Sequence, residues 1–228
     1  MAKVGKLYIV ATPIGNPQDI TLRALNILGS VDAVICEERR PGSTLLKKLG
    51  VTPKELISLN EHNEPAEASQ IALRMAKGES FALISDAGTP VFADPGATLI
   101  RLAVEYGVTT VPIPGPSSLM AALSVLDFKL EQFIFAGFLS RDPNQRRRDL
   151  QRLRGLHMPV VLLDTPYRLN ALLEDIGKVF GQNQELTLAF NLTLPGEKIL
   201  RGSPAEIRQR IGSAKGEFVL IIHNLAIK

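Results

Sequence analysis

The chain has a single cysteine, Cys36, so no disulfide can form within it. Its three histidines, His62, His157 and His223, lie far apart and share no metal-ligand spacing. No apolar run reaches the roughly 18 residues that a membrane-spanning helix needs. The apolar run before Thr12 and Pro13 is only five residues long (7–11), too short for the core of a secretory signal. Three motifs are also missing. No G-x-G-x-x-G follows a strand, and no G-x-x-x-x-G-K-[ST] occurs, which disfavours a dinucleotide-type Rossmann site and a P-loop. No G-x-S-x-G elbow occurs either, so nucleophilic hydrolysis has no support. These absences predict a cytoplasmic, reduced protein with no metal site and no membrane span.

What is present is ordinary for a globular protein. The 228 residues suit one large domain or two of about 110. A hydrophobic content of 45% with 21% charged residues excludes collagen, low-complexity disorder and a disulfide scaffold. The net charge of +3 permits an anionic partner without requiring one.

The first half alternates strand and helix patterns. Strands are expected at 7–11, 31–36, 55–59, 81–85 and 108–113. Helices are expected at 21–28, 44–50, 65–78, 94–107 and 116–126. In the fourth of these Asp94 reads as the N-cap and Pro95 as the first helical residue. Strands separated by helices imply right-handed crossovers and a buried, mainly parallel sheet. The second half reads differently, with strands at 133–137, 159–164, 185–190, 197–202 and 217–223 and helices at 143–155, 166–181 and 204–212. Only a short turn separates 185–190 from 197–202, so that pair is expected to be antiparallel. The fold class is α/β, with a parallel first domain at 1–113 and a mixed-sheet second domain at 114–228.

In open α/β sheets ligands gather at the carboxyl ends of strands. Four loops rich in Gly and Pro follow strands here: ATPIGNPQD (11–19), SDAGTPVFADPG (85–96), PIPGPSS (112–118) and GFLSRDPNQ (137–145). The first is either a tight turn or a place where ligand approaches the backbone. In the second, Asp86 or Asp94 can accept hydrogen bonds from ribose hydroxyls or an amino group. Helix capping is the alternative role for Asp94. The third puts Ser117 and Ser118 at a helix N-terminus, where they either cap the helix or hold an anion. A run of arginines, among them Arg141, Arg146, Arg147 and Arg148, is either a solvated face or a phosphate-binding patch for RNA.

Taken together, the segments LYIVATPIGNPQDITLRAL, LNEHNE (59–64), ALISDAGTPVFADPG, PIPGPSSLMAAL and FIFAGFLS resemble one family. It is that of the bacterial small-subunit ribosomal RNA 2′-O-ribose methyltransferases acting on a cytidine in 16S rRNA, within the tetrapyrrole (corrin/porphyrin) methylase superfamily. The resemblance implies a two-domain tetrapyrrole methylase-like fold, S-adenosylmethionine bound in the cleft between domains, and a homodimer. Carried over by motif, it assigns Pro13, Asp86, Gly88, Thr89, Pro90, Ser117, Ser118, Phe138 and Leu139 to the cofactor. Glu37, Glu38 and Asp164 become candidate general bases, with salt bridges to neighbouring arginines as their alternative role.

The chain departs from the family pattern in places. CEERRP (36–41) replaces A-E-D-T-R-H, DTPYR (164–168) replaces E-S-P-H-R, and AFNLTL (189–194) replaces A-R-E-L-T-K. The sequence stops at Lys228, where the family commonly continues for a small further region. A shortened relative is therefore expected, with a different RNA, a small molecule such as a tetrapyrrole, or non-catalytic cofactor binding as alternatives. The glycine-rich G-x-G-x-G-D signature usual in tetrapyrrole methylases is absent from the first loop.

Overall fold

The computed structural model describes residues 4–92 and 94–224. The chain divides into two compact units, 1–117 and 118–228, a few residues beyond the expected boundary.

The first unit holds a five-stranded, all-parallel sheet in the order β3-β2-β4-β1-β5. Its strands are β1 (Lys6–Val10), β2 (Ala33–Cys36), β3 (Leu56–Ser58), β4 (Phe81–Leu83) and β5 (Thr109–Ile113). The helices are α1 (Leu22–Ser30), α2 (Arg39–Lys48), α3 (Glu64–Ala76) and α4 (Ala97–Glu105). Side chains alternate between the two faces. Leu7, Ile35, Phe81 and Leu83 pack with α3 and α4, while Val10, Val34, Ala82 and Ile84 pack with α1 and α2. A sheet buried on both faces explains why its strands read as nearly continuous apolar runs.

The second unit carries α5 (Ser118–Ser124), β6 (Ile134–Gly137), α6 (Pro143–Arg154), β7 (Val160–Asp164), α7 (Leu169–Phe180), β8 (Leu186–Phe190), β9 (Lys198–Gly202), α8 (Pro204–Ile211) and β10 (Phe218–Ile222). Its sheet runs β6-β7-β10-β8-β9, parallel between β6 and β7 and antiparallel elsewhere. Helices α6, α7 and α8 cover one face through Leu150, Leu173, Ile176 and Ile207. The shorter α5 packs Ala122 against Val161, Val219 and Ile221 on the other.

Two helix starts in the first unit differ from the expectation by three residues or more. Helix α2 begins at Arg39, five residues before the predicted start at 44, and takes in Pro41 and Gly42. Pro41 lies in the first turn, where its missing N–H would have had no partner anyway. Helix α4 begins later, at Ala97, with Gly96 as N-cap at φ 127°. Asp94 is therefore not the cap that was expected.

Candidate active site

Three of the four Gly/Pro loops are tied together in the first unit. Thr12 N–H donates to the Gly88 carbonyl (2.9 Å), and Gly88 N–H donates back to Thr12 (3.1 Å). The buried Thr12 hydroxyl also donates to the Ser85 carbonyl at 3.2 Å. The Thr89 hydroxyl donates to the Pro116 carbonyl at 3.3 Å. Pro13, Asp86, Gly88, Thr89, Pro90 and Ser117 thus sit on one connected group of loops. Ser118, Phe138 and Leu139 belong to the second unit.

The 85–96 loop holds its shape against local preference. Gly88 has φ 80°, and Val91, a β-branched residue, has φ 72°. A β-branched residue in the left-handed region costs energy and persists only where the surroundings hold it there. Such strain concentrates at ligand-binding loops.

Around this loop the charge is negative. Glu37, Glu38, Asp86 and Asp94 lie at and beyond the carboxyl ends of β2 and β4. Burial pushes Glu37 above the usual carboxylate range, and Asp86, Asp94, Glu38 and Glu61 push it further. Asp86 is raised by desolvation and then by Asp94 and Glu38. Asp94 is raised by burial, with the Ser85 hydroxyl opposing. Cys36 is raised to about 11, chiefly by burial, and is inert as a thiolate. A concentration of partly desolvated carboxylates favours a cationic ligand.

The candidate bases separate on geometry. Asp164 is buried, and its Oδ2 has no hydrogen-bond partner among the described residues. Its side chain is 1% exposed and pairs with Arg168 at 3.2 Å. Arg168 donates onward to the Leu139 and Ser140 carbonyls at 3.0 and 2.7 Å, so the pair braces the loop carrying Phe138. Glu37 and Glu38, by contrast, form no ion pair among the described residues. Glu38 accepts from Asn60 Nδ2 at 3.1 Å, and Glu37 is half-buried.

The arginine run also divides. Arg146 is not available to RNA. It is buried and pairs with Asp175 at 2.6 Å, because on α6 it faces α7 rather than solvent. Arg147 shares that carboxylate at 3.1 Å while remaining half-exposed. Arg141 and Arg148 are exposed. No group of three or more His, Cys, Asp or Glu among the described residues could hold a metal ion. A groove of about 670 Å³ between α7 and α8, lined by Leu173, Glu174, Lys178 and Arg208, includes none of the predicted site residues.

Sequence reasoning assigned no role to Glu64. Its Oε1 accepts from the N–H groups of Gly96 (3.1 Å), Thr98 (2.9 Å) and Leu99 (3.3 Å) and so caps α4. The partners are 32 to 35 residues away, beyond any local capping pattern. Only its place in the LNEHNE segment marked it.

The profile of the family described as Tetrapyrrole (Corrin/Porphyrin) Methylases matches residues 6–208. Named relatives are similar along nearly the whole chain. The Ribosomal RNA small subunit methyltransferase I of Leptospira biflexa is 39% identical, covering 96% of this chain and 91% of its own. The protein of the same name from Neisseria meningitidis serogroup A is 40% identical, covering 96% and 76%. Among solved structures, cobalt precorrin-4 methyltransferase, a cobalamin biosynthetic enzyme, superposes with a TM-score of 0.69 at 19% identity over 95% of this chain and 94% of that one. Uroporphyrin-III C-methyltransferase from Thermus thermophilus, complexed with S-adenosylhomocysteine, gives 0.67 at 19% identity over 96% and 97%. At such identities the structures show a shared fold.

Proposed function

Because the chain belongs to the tetrapyrrole (corrin/porphyrin) methylase family, we propose that it is an S-adenosylmethionine-dependent methyltransferase acting on small-subunit ribosomal RNA, at the ribose 2′-oxygen of a cytidine in 16S rRNA. The observation that carries this is the strained, carboxylate-flanked loop 85–96 in a chain 40% identical to a protein named as a small-subunit ribosomal RNA methyltransferase. The donor set fits the cofactor. A sulfonium and an ammonium are both cations, and Asp86 and Asp94 supply the opposite charge. Pro13, Gly88, Thr89, Pro90, Ser117, Ser118, Phe138 and Leu139 complete the proposed binding set.

When bound, S-adenosylmethionine supplies an electrophilic methyl group. The work left to the protein is alignment and proton management. Orientation of this kind contributes roughly 7–11 kcal/mol. Glu37 is the carboxylate we assign to receive the ribose hydroxyl proton as the new C–O bond forms. It is half-buried, free of ion pairs among the described residues, and held above its ordinary pKa, nearer the working pH of a general base. The exposed Arg141 and Arg148 are assigned to RNA phosphates. Family membership further supports a homodimer working in the cytoplasm. No helix among the described residues is long and apolar enough to cross a membrane.

Calorimetric titration with S-adenosylmethionine, with S-adenosylhomocysteine as competitor, tests the cofactor. Transfer of labelled methyl groups to naked 16S rRNA and to assembled small subunits tests the acceptor. Folded protein that binds neither nucleoside refutes the reading. Binding with no transfer to either RNA form, but transfer to a tetrapyrrole, moves the substrate assignment.

A further inference from the structure

The LNEHNE segment lies outside the cofactor loops, yet its side chains reach toward them. A turn at 60–63 places Glu64 at the start of α3. Asn60 N–H donates to Asn63 Oδ1 at 2.7 Å, and Asn63 Nδ2 donates to the Ser58 carbonyl at 3.0 Å. Asn60 Nδ2 in turn donates to Glu38 Oε1. These bonds lock the turn and so limit where Glu64 can point. Glu64 is buried, and one of its carboxylate oxygens accepts from three N–H groups at the start of α4, those of Gly96, Thr98 and Leu99. A carboxylate there meets both unpaired donors and the positive end of the helix.

The position of that cap matters more than its contribution to α4. Gly96, one of its three donors, is the last residue of the strained loop. At the loop's other end, the Thr12–Gly88 pair fixes the entry. The backbone between these anchors includes Val91 in the left-handed region, a conformation that persists only where the surroundings hold it. We propose that Glu64 is a positioning residue that holds the 85–96 loop in its ligand-binding shape from a distance, so that cofactor affinity depends on a side chain that never touches the cofactor. This rests on the methyltransferase reading for its ligand, but the mechanical part stands on the hydrogen bonds alone.

The experiment compares Glu64→Ala and Glu64→Gln with the wild type by hydrogen exchange and by S-adenosylhomocysteine calorimetry. Ser203→Ala serves as control, since it removes the capping box of α8 in the second unit, far along the chain from this loop. Glu64→Ala is expected to speed exchange across 85–99 and to weaken binding about tenfold, the loss that one strong hydrogen bond represents. Glu64→Gln keeps a carbonyl acceptor and is expected to stay within about threefold of the wild type. Ser203→Ala should change neither. Unaltered exchange across 85–99 in Glu64→Ala overturns the anchor. Faster exchange with unaltered affinity overturns the coupling to ligand. If Glu64→Ala does not fold, a Glu64→Gln protein that folds yet binds tenfold more weakly overturns the acceptor role. Wild-type protein that binds no nucleoside refutes the methyltransferase reading, and the exchange data still decide the anchor.

Discussion

Replacing Arg146 with alanine should destabilise the second unit sharply while leaving RNA affinity unchanged. The guanidinium is 6% exposed and Asp175 is 5% exposed, with contacts at 2.6 and 2.8 Å. Removing one partner of a buried pair costs about 3–5 kcal/mol, mostly because the other charge is stranded. Arg147 also reaches Asp175 at 3.1 Å, and it remains after the substitution. The expected loss therefore falls at the low end, about 3 kcal/mol. The double variant Arg146→Met, Asp175→Leu removes both charges and keeps apolar volume. It should lie within about 1 kcal/mol of the wild type, since matched apolar replacements of buried pairs are often neutral. Denaturant titration followed by far-ultraviolet circular dichroism measures each variant, and the cycle of Arg146→Met, Asp175→Leu and their double variant isolates the coupling. A single-variant loss below about 1 kcal/mol would show that the pair is solvated or replaceable, and the assignment of Arg146 to the core would fail. A large loss of RNA affinity in the folded double variant would return Arg146 to the RNA-binding set.

Other outcomes follow from the same geometry. Glu37→Gln should lower kcat by about 10²–10⁴-fold with cofactor affinity largely kept, as loss of a general base requires. In the wild type, the acid limb of the pH–rate profile should sit above the ordinary carboxylate range, because burial and neighbouring acids raise Glu37. Asp86→Asn should weaken S-adenosylmethionine binding in calorimetry yet slightly stabilise the free protein at pH 7 in denaturant titration, the gain being kept small by solvent screening of this exposed group. The sign follows from its raised folded-state pKa. The folded form then binds more protons than the unfolded form between the two pKa values, so stability is lost as pH rises through that window and the variant escapes the loss. Gly96→Ala forces a side chain into φ 127° with its Cβ 2.7 Å from Leu83 Cδ2, and should cost about 1–3 kcal/mol in thermal or chemical unfolding. Arg148→Ala should weaken RNA binding evenly across sequences and reduce the salt slope of log K by about 1, measured by filter binding at several salt concentrations.

The α/β class, the order of strands and helices, the parallel first sheet and the antiparallel β8–β9 pair were legible in the sequence. Those features rest on hydrophobic period and loop length, which are local quantities. The sequence also marked the four loops, because Gly and Pro announce special backbone wherever they occur. The surroundings of each charged residue came from long-range packing instead. Arg146 and Arg148 differ by two positions on one helix, and a turn of 200° sends the first into Asp175 and leaves the second exposed beside Gln145. Asp94 looked like the cap of α4, but the cap is Glu64, more than thirty residues earlier in the chain. Asp164 and Glu37 both follow strands. One is sealed beneath Arg168 and the other stands among four acidic neighbours. Burial and charge pairing depend on which segments meet across the sheet, and no window along the chain contains that distance.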